Sequence, residues 1–518
     1  MDRREFIFLT LSAAAAAHSL GASDMDDPAL RKAMQAVIDA IPTASADRNR
    51  PVYHFAPPAN WTNDPNGTIY YGGWHHLFYQ FNPFATRLDN QHWGHARSRD
   101  LVNWEHLPIA IWPSLDRGEK AIFSGGAAIA ADGRPRLLYT SIGDREPEQW
   151  LVSPKDAELI TWAKFPRNPV LTQAAHASGP IAQWRDPFMF RKDGETYMVC
   201  GGGTRTGRAQ VQLYRATKDD LTQWKHLGPI FQTLDRDVRN FECPNLFPLD
   251  GKWVMIVSPN GVCEYWIGDL DIACMRFEPS AHAVLDSGDA YASNISVDEK
   301  GRTLLWLWGR TDPHDTWFNP SPEVSSRRWA GVITMPRVLS IGSDGYLQQR
   351  PAQEFETLRG APESFAGLVL ERTTVLKGLS ADCAEFEAEF SGAGTFGLEL
   401  RRSAQGKSGI VVAIETSFRG THLTVGNARA YVGNADRYNV RVFLDKRCVE
   451  VFVNDGTTAL YNWFEAAPND LEVAVFGQPA KLPPFLASKR PLPPAPRLES
   501  LTVWPMKPAK FSLDRFVY

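Results

Sequence analysis

Asp64, Ser124, Asp186 and Glu242 occupy one position of a sequence repeat, and together they are a set of side chains fit for chemistry on a sugar. The repeat is marked by tryptophans that close similar segments: SRDLVNW at Trp104, ELITW at Trp162 and DDLTQW at Trp224, with a degenerate copy, LDIACMRF, ending at Phe277. The three acids and the serine stand about forty residues upstream of the first three marks and about thirty-five upstream of the last. Paired carboxylates around a small ligand are the apparatus of glycosidic bond cleavage, in which one attacks or assists water and the other protonates the leaving oxygen. Singly, each motif reads blandly. Asp64-Pro65-Asn66-Gly67 is a strong turn sequence, because Pro presets its backbone angle and Asn-Gly tolerates positive φ. Arg185-Asp186-Pro187 fits a salt-bridged turn, and Glu242 between Phe241 and Cys243 fits a solvated strand residue. The shared phase outweighs these readings. His75, His76, His92 and His95 lack any carboxylate-rich ligand pattern, so no metal is expected.

The marks recur about every sixty residues, so the region from about 51 to 350 divides into roughly five units, each sized for one four-stranded blade. Its short apolar and aromatic segments, punctuated by Gly, Pro, Asn and Asp, predict antiparallel strands. The expected fold is all-β: a five-bladed β-propeller over 51–355, in which equivalent positions of the innermost strands converge on the axial mouth. From about 360 to 518, alternating stretches such as FEAEF, FGLEL, IVVAI, VRVFL and VEVFV predict a C-terminal β-sandwich. Seven prolines between 478 and 496 cannot donate to a sheet ladder and predict an extended loop. Residues 23–50 hold a helical stretch around Leu30, Met34, Val37 and Ile41.

Composition narrows the classes. With 43% hydrophobic and 22% charged residues over 518 positions, the chain is globular rather than disordered, and long enough for two or three domains. Its 55 basic and 59 acidic side chains give a net charge of -4 without long runs of one sign, which argues against nucleic acid or an anionic membrane and for a neutral partner. Aromatics at 11% suit flat sugar faces as well as a β core. Arg3 and Arg4 before Phe6 and an apolar run through Ala17 read as a Tat-type signal over 1–22, which places the mature protein in the periplasm or outside the cell. No other stretch is long and apolar enough for a membrane helix. The six cysteines show neither metal-ligand spacing nor a disulfide framework.

Three segments, NWTNDPNG (60–67), WRDPF (184–188) and FECPNLF (241–247), resemble the signature motifs of glycoside hydrolase family 32, the β-fructofuranosidases, inulinases and levanases. The resemblance continues in order through HLFYQFNP, WGHARSRDLVNW, FSGGA, DSGDAYAS, WAGVITMPR and YLQQRPAQE, and covers nearly all of the chain after residue 50. FLDKRCVEVFVNDG (443–456) looks like the family's sandwich hairpin. The resemblance implies a catalytic propeller followed by a sandwich and a reaction that needs no cofactor. It implies Asp64 as the nucleophile that forms a fructosyl intermediate, Glu242 as acid and then base, and Asp186 as the stabiliser that binds fructose hydroxyls. Arg185 would supply a fork of donors, Asn63, Gln80 and Ser124 would hold the hydroxyls, and Trp61, Trp93 and Phe123 would wall the pocket, with Tyr291 a further binding residue. Thr62 departs from the family's usual apolar residue, which puts either a hydroxyl in the pocket wall or a harmless group at the surface.

The function expected from the resemblance is a secreted, retaining glycosidase releasing fructose from sucrose, inulin or levan-type fructans. Two alternatives stand beside it: a fructosyltransferase on the same scaffold, and a non-catalytic sugar-binding propeller, disfavoured because a lectin has no need of three acids in phase. A cytoplasmic sucrose phosphate hydrolase is disfavoured by the signal segment. The sequence leaves open the choice among the three substrates, terminal against internal cleavage, and the oligomeric state.

Overall fold

Each tryptophan mark is the first residue of a strand: Trp104–Ile111, Trp162–Lys164 and Trp224–Gln232. The preceding turn explains the motif. Asp100 and Asp220, each directly before its leucine, accept the backbone N–H two residues on, as Asx turns do, and Asp156, three residues before its leucine, accepts those of Ile160 and Thr161. Leu101, Leu159 and Leu221, each three residues before its tryptophan, then adopt positive φ (64°, 59° and 63°). The carbonyl of each leucine accepts the indole N–H of its tryptophan. Leucine and tryptophan therefore recur together because they make one turn, with an aspartate bracing each from nearby.

The computed structural model describes residues 27–516 except 205, 234, 236, 260, 313–315, 418 and 481–492. The expected signal over 1–22 and most of the Pro-rich stretch 478–496 lie outside the described residues. The described residues are chiefly β, with one helix of 19 residues and shorter helical pieces. Helix α1 (Pro28–Ala46) is capped by Asp27, which accepts from Ala29 N and Leu30 N, and buries Leu30, Ala33, Met34, Val37, Ala40 and Ala44 on one face. It thus realises the expected helical stretch, with Ile41 partly buried at its edge.

Five sheets, antiparallel except for a short parallel strand at each edge of the first, follow one another, led by the strands Asn60–Tyr71 (sheet 1), Glu119–Ile129 (sheet 2), Ala182–Lys192 (sheet 3), Glu242–Leu249 (sheet 4) and Ala290–Val297 (sheet 5). These leading strands neighbour one another in a closed ring, the fifth lying against the first. The ring is tied shut by the segment after sheet 5. Trp329–Ala330 pairs in parallel with Asn60 and Trp61, while Val332–Ile333 pairs with Trp308 and Gly309 of sheet 5. The four phased residues all sit on leading strands, so four successive sheets each deliver one side chain to the middle of the ring.

After the ring come two six-stranded sheets with a separate apolar core that includes Phe386, Phe390, Phe396, Leu398, Val442 and Leu444. The segment 443–456 is indeed a hairpin: Arg437–Asp445 pairs with Cys448–Val453 across a turn at Lys446, whose φ is 59°. All six cysteines are free thiols.

The sandwich is joined to the ring by a fully buried ionic cluster. His54 bridges Asp445 (3.0 Å) and Glu450 (3.2 Å), and Arg337 bridges Glu450 (2.8 Å) and Asp286 (2.9 Å). Backbone N–H groups of Val52, Tyr53, His54, Met335, Gly288 and Tyr461 satisfy the remaining carboxylate oxygens. Burial alone would lower the His54 pKa, but the hydrogen bonds and charges of Asp445 and Glu450 outweigh it and hold it at about 9. Because this value lies above the unfolded one near 6.5, the stabilisation is complete below about pH 6.5 and is lost as pH rises through about 9. His54→Ala should cost about 3–5 kcal/mol near neutrality, since it leaves the buried Asp445 without its charged partner while Glu450 keeps Arg337. Melting temperatures between pH 6 and 9.5 check this: the wild type should lose stability across the range, and the variant should start lower and fall less. Parallel curves would contradict it.

Candidate active site

The leading strand of sheet 1 is not regular. Its pairing slips between Thr62 and Pro65 and again between Asn66 and Ile69, so Asp-Pro-Asn-Gly forms bulges inside a strand and not the turn that its composition suggests. Pro65 has no N–H for the ladder, and Asn66 replaces backbone with side chain: its Nδ2 donates to Asp64 O (3.0 Å) and its Oδ1 accepts from Gly125 N (3.1 Å) of sheet 2. Gly67 has φ of +50°, and a Cβ there would meet Leu137 Cδ2 at 3.0 Å and Trp93 Cζ3 at 3.2 Å, so no other residue fits without displacement. Asp64 is thereby turned into a cavity of about 830 Å³ at the middle of the ring.

The other two acids line the same cavity, and two backbones there are strained. Asp186 and Cys243 adopt positive φ (64° and 46°), at a cost of roughly 1–3 kcal/mol each. Neighbouring groups hold them in place. Cys243 N donates to Asp186 Oδ2 (2.9 Å), and Asp186 N donates to Thr140 Oγ1 (2.9 Å).

The surroundings of the three acids differ. Asp64 accepts hydrogen bonds from the Ser124 hydroxyl and from Asn63 Nδ2, with the Cys243 thiol at 3.5 Å. Burial raises its pKa, the donors Ser124 and Asn63 oppose that, and the charge of Glu242 adds to it. Burial likewise pushes the Asp186 carboxyl up to about 7 against the pull of Arg185 and the Cys243 N–H. Glu242 is more open, with about 33% of its side chain exposed. Arg185 Nη2 donates to one of its oxygens, and Tyr291 Oη donates to the other at 2.7 Å. The site therefore presents a half-buried, firmly held carboxylate, Asp64, in one cavity with a more exposed one, Glu242.

Comparison with known proteins settles the family. Residues 54–351 match the model of the glycosyl hydrolases family 32 N-terminal domain, and residues 354–481 match that of the family's C-terminal domain. The chain belongs to glycosyl hydrolase family 32. The chain is 31% identical over 481 residues to sucrose-6-phosphate hydrolase of Bacillus subtilis (86% of this chain, 95% of that protein) and 32% identical over 484 residues to the levanase of the same organism (81% and 67%). Among solved structures, fructan 1-exohydrolase IIa from Cichorium intybus superposes with a TM-score of 0.77 at 26% identity, covering 90% of this chain and 98% of that one. Family 32 membership makes this chain a glycosidase of the fructosidase type.

Within this family 32 cavity, most of the expected residues meet and some do not. Asn63, Gln80, Phe123, Arg185 and Tyr291 line it together with the three acids. Trp61 and Trp93 do not. Trp93 is wholly buried, its indole N–H held by Phe123 O, and Trp61 is 2% exposed and donates to Asn63 Oδ1, so both support the site from behind and neither walls it. Ser124 is also buried; its hydroxyl donates to Asp64 and accepts from Gln80 Nε2 (2.8 Å), so it positions a carboxylate where a sugar contact was expected. Thr62 neither lines the cavity nor faces solvent, since it is fully buried and its hydroxyl donates to Gln80 O. The histidines serve packing: His76 and His95 are hydrogen-bonded to each other at 3.0 Å, and His95 stacks on Phe78. Sequence reasoning missed the Cys243 thiol and the lining residues Gln183, Asp237, Arg239, Asn240, Trp308, Arg310 and Trp317. Of these only Cys243, inside a signature motif, had a local signal.

Proposed function

We propose that this chain is an exported, retaining β-fructofuranosidase that releases fructose from sucrose or fructans. The observation that carries the reading is the meeting of Asp64, Asp186 and Glu242 in one cavity with three different environments. In it Asp64 attacks the anomeric carbon, Glu242 protonates the departing oxygen and then activates water, and Asp186 binds fructose hydroxyls as the ring gains positive charge. Arg185 and Tyr291 orient Glu242 from both sides. We read the ring as a five-bladed propeller over 51–355 and the paired sheets as a β-sandwich from 360. The relatedness to a levanase, and a neighbouring structure of the Cichorium exohydrolase in complex with 1-kestose, support a fructan or sucrose substrate. The twin arginines Arg3 and Arg4 support export.

The test is incubation with sucrose, inulin and levan, with products separated by chromatography. Free fructose is expected, and NMR of the first product should show the β-furanose before mutarotation, because two displacements at one carbon restore its configuration. Oligosaccharides would shift the reading to a transferase, and three intact substrates would overturn it.

A further inference from the structure

Phe318 is 56% exposed, and it lines the cavity that holds Asp64 and Glu242. Its neighbour keeps it there. Trp317 is buried, with its ring 4.7 Å from that of Trp308; its indole N–H donates to Asp312 O (3.1 Å), and its carbonyl accepts from Leu88 N (2.8 Å) of the sheet 1 loop. With Trp317 anchored at ring and backbone, Phe318 stays out of the core. Leu88 and Trp317 line the cavity beside it, so the exposed ring is part of an apolar patch at the rim of a polar cavity, and an occupant that covered it would release the water it orders.

The position in the ring of sheets tells which part of a substrate lies there. On the function proposed above, on which this inference rests, the fructosyl unit lies against Asn63, Gln80, Phe123 and Asp186, which come from sheets 1, 2 and 3. Glu242, on sheet 4, faces the oxygen that departs. Sheet 5 completes the ring between Glu242 and Asp64. Its Tyr291, which holds Glu242, pairs with Trp308, the residue on which Trp317 packs. The segment that carries Phe318 is therefore built onto the side of the leaving-group acid. We infer that Phe318 is a platform for the leaving-group sugar, its ring covering one C–H face of that sugar while the hydroxyls around the sugar's edge meet the cavity's polar groups. A flat apolar ring matches a sugar face and finds no such face on a simple alcohol. The substrate class that follows is a β-fructofuranoside whose leaving group is itself a sugar ring.

The test compares sucrose with methyl β-fructofuranoside, whose leaving group needs the same acid but has no ring. Phe318→Ala should lower kcat/KM for sucrose about five-fold or more, mostly through KM, and leave methyl fructofuranoside within about two-fold of wild type. Phe318→Tyr, which keeps the ring, should stay within about two-fold of wild type on both. The melting temperature of Phe318→Ala should hold, since a side chain more than half exposed adds little to the core. Unchanged sucrose kinetics in Phe318→Ala, or equal losses on the two substrates, would overturn the inference. So would a loss in Phe318→Tyr as large as in Phe318→Ala, or a lowered melting temperature, which marks a packing residue. Wild-type enzyme inert towards both substrates would instead overturn the underlying reading.

Discussion

Asp64→Asn should lower kcat on sucrose by about four orders of magnitude or more while the protein melts at or above the wild-type temperature at pH 7. The two halves of this expectation come from one fact, the cost of keeping a carboxylate in this cavity. Burial raises the Asp64 pKa above its ordinary value, so its charged form is disfavoured in the folded chain. A group of this kind contributes stability below its unfolded pKa and loses it as pH rises through the folded one. At neutral pH, replacing the carboxylate by a neutral isostere therefore relieves the fold. The hydrogen bonds adapt: the amide oxygen can face Asn63 Nδ2, and the Ser124 hydroxyl can turn to accept from the new amide nitrogen. Without a nucleophilic oxygen anion, no fructosyl intermediate forms. Initial rates and thermal melts of both proteins check the pair of outcomes, and a loss of less than about ten-fold would remove Asp64 from the nucleophile's position.

The turn that carries each tryptophan mark is local physics, a left-handed leucine and an indole hydrogen bond braced by a nearby aspartate, so its period was readable and the phase of three acids and Ser124 followed from it. Sheet 5 has no such mark, and Trp308 and Arg310 reach the cavity only because the ring closes. Trp93 shows a different limit. The strand His92–Ser98 is buried at every position, so it lacks the alternation that tells one face from the other, and an aromatic beside a signature motif reads equally as wall or support. In Asp-Pro-Asn-Gly, composition pointed to a turn, whereas Asn66 and its partner Gly125 N on the next sheet make it a bulge. The cluster of His54, Asp286, Arg337, Asp445 and Glu450 was equally invisible, because members up to 396 residues apart share no local pattern.

Glu242→Ala should slow sucrose cleavage by about 10² to 10⁴-fold yet spare the first step on a substrate with a nitrophenyl leaving group. A general acid matters most when the departing alcohol is a strong base, as a sugar hydroxyl is, and little when the departing group is already weakly basic. With the activated substrate the second step becomes limiting, because the same residue must activate water, so the fructosyl intermediate on Asp64 should accumulate and nitrophenol should appear as a burst. The surroundings favour this clean separation. Arg185 keeps Asp186 as a partner at 3.7 Å, and the Tyr291 hydroxyl can turn its one proton to the carbonyl of Ser258 at 2.8 Å, so truncation leaves neither stranded. The one-third exposure of the Glu242 side chain means that the truncated site is open to small anions. Azide, which needs no base, should therefore restore turnover of the activated substrate and yield a β-fructosyl azide. Equal losses on sucrose and on the nitrophenyl substrate, with neither burst nor azide rescue, would show that Glu242 binds sugar without moving a proton, and the acid would have to be sought elsewhere around the cavity.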